Sequence, residues 1–197
     1  MREDLDKQLC EKYPKIFAQR HLDPSQTCMC WGIAVGDGWY NIIDQLCGNI
    51  QWHIDQHNKD AERNTKWHDM RNAALVGDWT LFDEKYKKEI ADPQLAEWVE
   101  KQRNQLLFEE PPKWFNVFEP MEQLEAVQVK EKFGGLRFYT ERVPDDYIRG
   151  LISMAEAMAD VTCEECGAPG KKVNGGWIVT LCDQHEQALR IRRAIEK

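Results

Sequence analysis

Apolar positions along this chain recur at helical spacing in several blocks and alternate in one. Leu5, Leu9, Tyr13 and the pair Ile16–Phe17 predict a helix over 1–22, with a break or restart at Pro14, which cannot donate a helical hydrogen bond. Residues 23–38 contain Pro24, Gly32, Gly36 and Gly38 and read as loop, with a short strand at Trp31–Val35. A stronger helix then starts at Asp37 or Gly38. Trp39, Ile42, Ile43, Leu46, Ile50, His53, Ile54 and His57 fall on one of its faces, and the polar run Lys59–Lys66 predicts its end soon after Asn58. Residues 66–103 read as two or three helices separated near Gly77–Asp78 and Asp92–Pro93, with Asp92 as a cap and Pro93 at the first helical position. Pro111–Pro112 closes this stretch, and Trp114, Phe115 and Phe118 are expected to pack the return.

The period then changes. Ala126–Phe133 and Leu136–Thr140 are β-capable runs flanking Gly134–Gly135, which predicts a hairpin turning on two residues free to take positive φ. Val127, Val129, Leu136 and Phe138 alternate with polar residues, so one face is buried and one is charged. Pro144 precedes a helix from about Asp145 to Asp160, with Ile148, Leu151, Ile152, Ala155 and Ala159 as its apolar stripe. Lys171–Val173 and Trp177–Leu181 predict a second, smaller hairpin around Asn174-Gly175-Gly176, followed by a helix over Asp183–Arg193. The pattern gives an α+β fold. It comprises a helix-rich body over 1–160, within which 59–118 reads as a helical insertion, and a small C-terminal module over 161–197.

Charge and cysteine usage narrow the function. The 197 residues carry a net charge of −8, and residues 160–197 contain six acidic and six basic residues, so the excess lies in the body. An acidic body disfavours general nucleic-acid binding and suits a basic protein partner or a nucleic-acid mimic. Eight tryptophans are more than a chain of this size needs, and they read in part as core anchors and in part as surface anchors for a partner. Met1–Cys10 is charged, not apolar, and no run approaches the ~18–20 apolar residues of a membrane span. Seven cysteines, an odd number, fit a reducing cytoplasm better than a disulfide framework.

The C-terminal module carries the sharpest chemistry. Cys163-x2-Cys166 and Cys182-x2-His185 are separated by fifteen residues. Each pair can span one edge of a tetrahedron, and together they supply the four soft or borderline donors that Zn2+ takes in a structural site. Gly167 follows the second cysteine and relieves the tight turn of a Cβ. A knuckle, a hairpin and a helix carrying the second ligand pair resemble a treble-clef zinc finger, with a zinc ribbon as the nearest competitor. Four protein ligands leave no position for a catalytic water. His185 is also the only histidine after His68, which argues against a nuclease built on this module.

Weaker constellations remain open. His53 and His57 share a helix face four residues apart, but Ile54 stands where a zinc protease needs its general base; Asp55, Asp60 and His68 are the nearby candidates for an additional group. Cys28-Met29-Cys30 with Cys10 and Cys47 could form a second metal site, but the four lack paired spacing and buried thiols explain them better. Lys130, Lys132, Arg137 and Tyr139 place basic and aromatic groups on one hairpin, as single-strand binders do.

Gly36-Asp37-Gly38-Trp39-Tyr40, Val129-Lys130-Glu131-Lys132-Phe133-Gly134-Gly135-Leu136-Arg137-Phe138, Cys163-x2-Cys166-Gly167, Gly175-Gly176-Trp177 and Cys182-x2-His185 occur in this order. The set resembles a family of proteins encoded by tailed bacteriophages and prophages, over roughly residues 28–57 and 126–186. What the resemblance implies is a genome context, that of a phage accessory protein acting in the cytoplasm of a bacterial host. It implies no catalytic residue.

Three functions follow as expectations. The first is a non-enzymatic phage protein that binds a host protein, blocking a defence or regulatory system. The second is a nucleic-acid-associated zinc protein, using the Lys130–Tyr139 hairpin with Lys171, Lys172, Arg190, Arg192 and Arg193. The third is an enzyme centred on His53 and His57.

Overall fold

The expected end of the second long helix after Asn58 does not occur. In the computed structural model, which describes residues 1–109, 119–174 and 176–195, helix α2 runs from Tyr40 to Leu75. The run 59–66 is polar but contains no glycine or proline. Its exposed side chains support the helix through the Lys66–Glu62 pair at 2.6 Å and the Arg63–Asp60 pair. Its inward face continues through buried Ala61, Asn64, Met70 and Ala74. Polarity marked an exposed face there, not a terminus.

The chain divides into two compact units, Met1–Ile54 with Glu122–Lys197, and Asp55–Met121. Helix α2 contributes to both.

In the first unit, α1 (Glu3–Lys12) stops before Pro14, as expected, and a 3-10 turn over Ala18–His21 follows. The predicted strand at Trp31–Val35 is absent. Met29–Trp31 forms a 3-10 turn, and the extended backbone reduces to a single bridge in which Ala34 pairs with Lys130. Gly32, at φ 83°, turns the chain away from a strand just before that point. Strands β1 (Ala126–Lys132) and β2 (Gly135–Thr140) form the predicted antiparallel hairpin, but its turn is one residue earlier than expected. Phe133 and Gly134 take positive φ, 53° and 72°, while Gly135 pairs with Lys132 inside the ladder. Helix α6 (Asp146–Ala159) is capped by Asp145, whose Oδ1 accepts from the Ile148 N–H at 2.9 Å. Strands β3 (Lys171–Asn174) and β4 (Ile178–Leu181) form the second hairpin, and α7 (Asp183–Ile195) follows. Trp39, Leu9, Ile16, Ile43, Leu124, Val129, Leu136 and Ile148 are buried in this unit. Helices with two small two-stranded antiparallel sheets make the fold α+β.

In the second unit, α3 (Thr80–Lys85), α4 (Lys87–Ile90) and α5 (Ala96–Phe108) follow the breaks read at Gly77–Asp78 and Asp92–Pro93. Asp92 caps as expected, accepting from the Gln94 N–H at 2.9 Å. Met70, Ala74, Phe82, Val99 and Leu106 form a small core, with Trp67, Trp79 and Tyr86 packed against it. Arg103 lies over the rings of Trp79 and Phe82 and pairs with Asp83 at 3.1 Å. Part of the tryptophan excess therefore belongs to this aromatic core. Pro111, Pro112, Trp114, Phe115 and Phe118 lie outside the described residues. No helix among the described residues is long and apolar enough to cross a membrane.

Candidate metal centre

Cys163, Cys166, Cys182 and His185 converge, with their ligand atoms all within 4.8 Å of one another. Cys163 Sγ lies 3.4 Å and Cys182 Sγ 3.2 Å from His185 Nδ1, and Cys166 Sγ lies 3.9 Å from Cys182 Sγ. A tetrahedral ion with bonds of about 2.3 Å to sulfur and about 2.0–2.1 Å to nitrogen would set sulfur–sulfur edges near ~3.8 Å and sulfur–nitrogen edges near ~3.5 Å. The three edges at 3.2, 3.4 and 3.9 Å are close to those values. A disulfide would hold its sulfurs at about 2.05 Å, so Cys166 and Cys182 are not bonded. Among the described residues this is the one group of three or more metal-ligating side chains brought together.

The local backbone explains the convergence. Residues 163–167 form a knuckle in which the Gly167 N–H donates to the Cys163 carbonyl at 2.9 Å, and Gly167 takes φ 77°. The Cys163 N–H donates to the Ala168 carbonyl at 2.7 Å, and the Ala168 N–H donates to the Cys166 sulfur. The second pair sits at the start of α7, where the Glu186 N–H closes the first turn on the Cys182 carbonyl at 2.9 Å. The His185 N–H donates to the Cys182 sulfur; this bond is the main reason its thiol is lowered to about 7, with the imidazole and the two other sulfurs adding to it. The knuckle, β3–β4 and the start of α7 thus present three sulfurs and one imidazole nitrogen to a common centre.

The two distinctive upstream motifs pack directly on this centre, a role their sequences did not announce. The Gly38 N–H donates to the Glu164 carbonyl at 2.7 Å, the Gly36 N–H to Glu164 Oε1 at 2.9 Å, and Trp39 Nε1 to the Thr162 carbonyl at 2.8 Å. A Cβ at Gly38 would lie 2.2 Å from the Cys163 carbonyl oxygen and 2.4 Å from the Gly167 nitrogen. Gly38 is a glycine because the knuckle backbone occupies the place of its side chain. The 126–140 hairpin meets the other side of the module. The Thr180 hydroxyl donates to the Gly134 carbonyl, and Trp177 Nε1 donates to Glu131 Oε2 at 3.3 Å. A Cβ at Gly134 would sit 3.2 Å from the Val179 backbone carbon. From the sequence, the glycines of the first motif read as a helix start and those of the second as a hairpin turn, which gave no sign of this packing.

The weaker candidates find other roles. His53 Nε2 lies 2.7 Å from Asp145 Oδ2, and its ring lies 4.4 Å from that of Tyr147, centre to centre. The same Asp145 caps α6, so this carboxylate organises a helix end. His57 Nε2 lies 3.0 Å from the Glu119 carbonyl oxygen instead. His53, Asp55, His57, Asp60 and His68 are not gathered into a metal-ligating group, and neither are Cys10, Cys28, Cys30 and Cys47. Cys47 is fully buried, which pushes its thiol well up. Burial, with Asp6 adding to it, pushes the Cys10 thiol up to about 11. Cys30 donates to the Thr27 carbonyl at 3.1 Å, and Cys28 is exposed.

Four of the basic residues read as a nucleic-acid surface, Arg137, Lys171, Lys172 and Arg190, are in ion pairs. Arg137 lies 3.6 Å from Glu156, Lys171 2.8 Å from Asp183 and 3.3 Å from Glu186, and Lys172 3.0 Å from Asp160. Arg190 pairs with Glu186. Lys130 lies over the Tyr139 ring and Lys132 over the Phe133 ring.

No protein family, no curated protein and no solved structure matches this chain.

Proposed function

We propose that this chain is a non-enzymatic phage accessory protein that binds a host protein in the bacterial cytoplasm, and that Cys163, Cys166, Cys182 and His185 hold a structural Zn2+ in a treble-clef-like module. Three thiolates and one imidazole are a borderline-soft, tetrahedral donor set of the kind zinc takes in closed structural sites. The observation that carries the reading is the consumption of the motifs. Gly36–Trp39 and Glu131–Gly134 pack on the metal knuckle and its hairpin, so the most distinctive residues of the chain build a scaffold. All four ligands come from the protein, which leaves no coordination position for substrate. The phage context and the bacterial host rest on the motif resemblance, and the protein partner on the acidic body and exposed aromatic residues such as Trp31, Trp52 and Trp177.

The test is an affinity purification of tagged protein from a bacterial lysate, with and without nuclease, read by mass spectrometry. A stoichiometric protein that survives nuclease is the expected result. Loss of every partner after nuclease would overturn the reading. It would favour the nucleic-acid alternative, which rests on Phe133, an exposed aromatic held in the left-handed region beside Lys132. Zinc content is measured separately, by metal analysis of protein purified without added chelator.

A further inference from the structure

We infer that Cys166 is an oxidation site, and that hydrogen peroxide joins it to Cys182 and so empties the metal centre. The inference rests on the metal-binding reading of this cluster. A cysteine is readily oxidised when its sulfur is held as the thiolate, is open to solvent and has a second sulfur beside it. Among the seven cysteines of this chain, Cys166 meets all three conditions. A bound metal would hold it as the thiolate. It is the exposed ligand of the four, with Cys182 and His185 half-buried and Cys163 buried. Cys182 Sγ lies 3.9 Å from Cys166 Sγ.

The cysteines outside the cluster lack one or more of these conditions. Cys47 is fully buried, and burial, with Asp6 adding to it, pushes the Cys10 thiol up to about 11. The Cys30 thiol donates to the Thr27 carbonyl at 3.1 Å. Cys28 is exposed, but it stands outside the cluster, so no metal would hold its sulfur as the anion. Within the cluster, Cys163 would share the metal but is closed to solvent. Cys182 is therefore the second sulfur, because it shares the outer edge of the site with Cys166.

In the first step Cys166 Sγ attacks one oxygen of the peroxide. The O–O bond breaks, hydroxide leaves and is protonated to water, and the sulfur is left as a sulfenic acid. The Cys182 thiolate then attacks that sulfur. The S–S bond forms as the S–O bond breaks, and the departing hydroxide takes a second proton. The peroxide is thereby reduced to water, and the two thiolates supply both electrons. The sulfurs close from 3.9 Å to about 2.05 Å and lose the negative charge that held the ion. Cys163 and His185 remain as two donors where zinc takes four, so the ion leaves. The knuckle on which Gly36 and Gly38 are hydrogen-bonded then loses its metal.

The test adds limited hydrogen peroxide to the full-length protein purified with its metal. A chromophoric indicator reads the zinc released, and peptide mapping without reductant locates the disulfide. The expected result is zinc released in proportion to a Cys166–Cys182 disulfide, with both changes reversed by a dithiol and added zinc. Cys28→Ser, at an exposed position outside the cluster, should release zinc to the same extent. Metal retained at a peroxide dose that oxidises Cys28 in the wild type would overturn the inference. So would a disulfide joining Cys163 to Cys166, or zinc release that Cys28→Ser abolishes. A protein that holds no metal before peroxide is added overturns the zinc reading and this inference together, so the starting metal content tells the two failures apart.

Discussion

Replacing Gly38 by alanine tests whether the first glycine motif is a strut for the metal knuckle. The new Cβ would lie 2.2 Å from the Cys163 carbonyl oxygen, 2.4 Å from the Gly167 nitrogen and 2.7 Å from the Cys166 nitrogen, where real Cβ atoms essentially never come within 3.0 Å. All three neighbours are backbone, so no side chain can swing aside; the loop must retreat or the knuckle must open. The hydrogen bonds that join them, from the Gly38 and Gly36 N–H groups to Glu164 and from Trp39 Nε1 to Thr162, are then broken or stretched. At about 1 kcal/mol net for each bond, the three amount to about 3 kcal/mol, toward the upper range of single substitutions. If that cost falls on the metal-bound state, apparent affinity drops about a hundredfold. Urea denaturation of the metal-loaded protein, with competition against a chromophoric chelator, measures both quantities. A Gly38→Ala protein with the wild-type midpoint and wild-type metal retention would refute the strut.

Other outcomes follow from the same geometry. Gly77→Ala should cost only about 1–2 kcal/mol, because Gly77 sits at φ 86° with open space around it and pays for the left-handed backbone alone; its metal content should be unchanged. Chelation should expose three further thiols to an aromatic disulfide reagent, those of Cys163, Cys166 and Cys182, whereas Cys28 should react before chelation and buried Cys47 only on unfolding. Removing the metal should also lower the stability of the C-terminal module by something like ~10 kcal/mol at neutral pH, and circular dichroism should show loss of structure with chelator. Asp145→Ala should destabilise by about 1 kcal/mol through the lost cap of α6, and Asp145→Asn should recover most of that in urea titrations.

Much of this molecule was legible from periodicity. The break at Pro14, the cap at Asp92, the helix after Pro144 and both hairpins followed from turn chemistry and apolar spacing. The Cys-x2-Cys and Cys-x2-His pairs pointed to four side chains that the structure brings together, because each pair is local and its geometry is fixed by its own turn. What sequence spacing could not convey was contact between distant segments. Gly38 and Gly134 are followed by residues that also suit a helix start and a turn, so local explanations sufficed until the knuckle and β4 were seen against them. The hairpin register was missed because either adjacent glycine could turn. Gly135 is instead hemmed in by Asp160 Oδ1, which would lie 2.7 Å from its Cβ, and Phe133 carries the positive φ. The continuation of α2 past Asn58 was missed because a polar run was taken as a terminus, although it held no helix breaker.

The division of the chain also orders its synthesis. The first unit is discontinuous, assembled from Met1–Ile54 and Glu122–Lys197, while Asp55–Met121 is contiguous. The contiguous unit can close as soon as the ribosome has made it. The first 54 residues cannot complete their unit until His185 emerges, which at about 5–20 residues per second is a delay on the order of ten seconds. During that interval the Ile16 carbonyl lacks the Ala126 N–H that it accepts from, and Trp39 Nε1 lacks the Thr162 carbonyl. The strut at Gly36–Trp39 waits for a knuckle not yet made. On the proposed reading, the unit that begins translation first is the last to be completed, because the pieces that close it, knuckle and metal ligands alike, are made last.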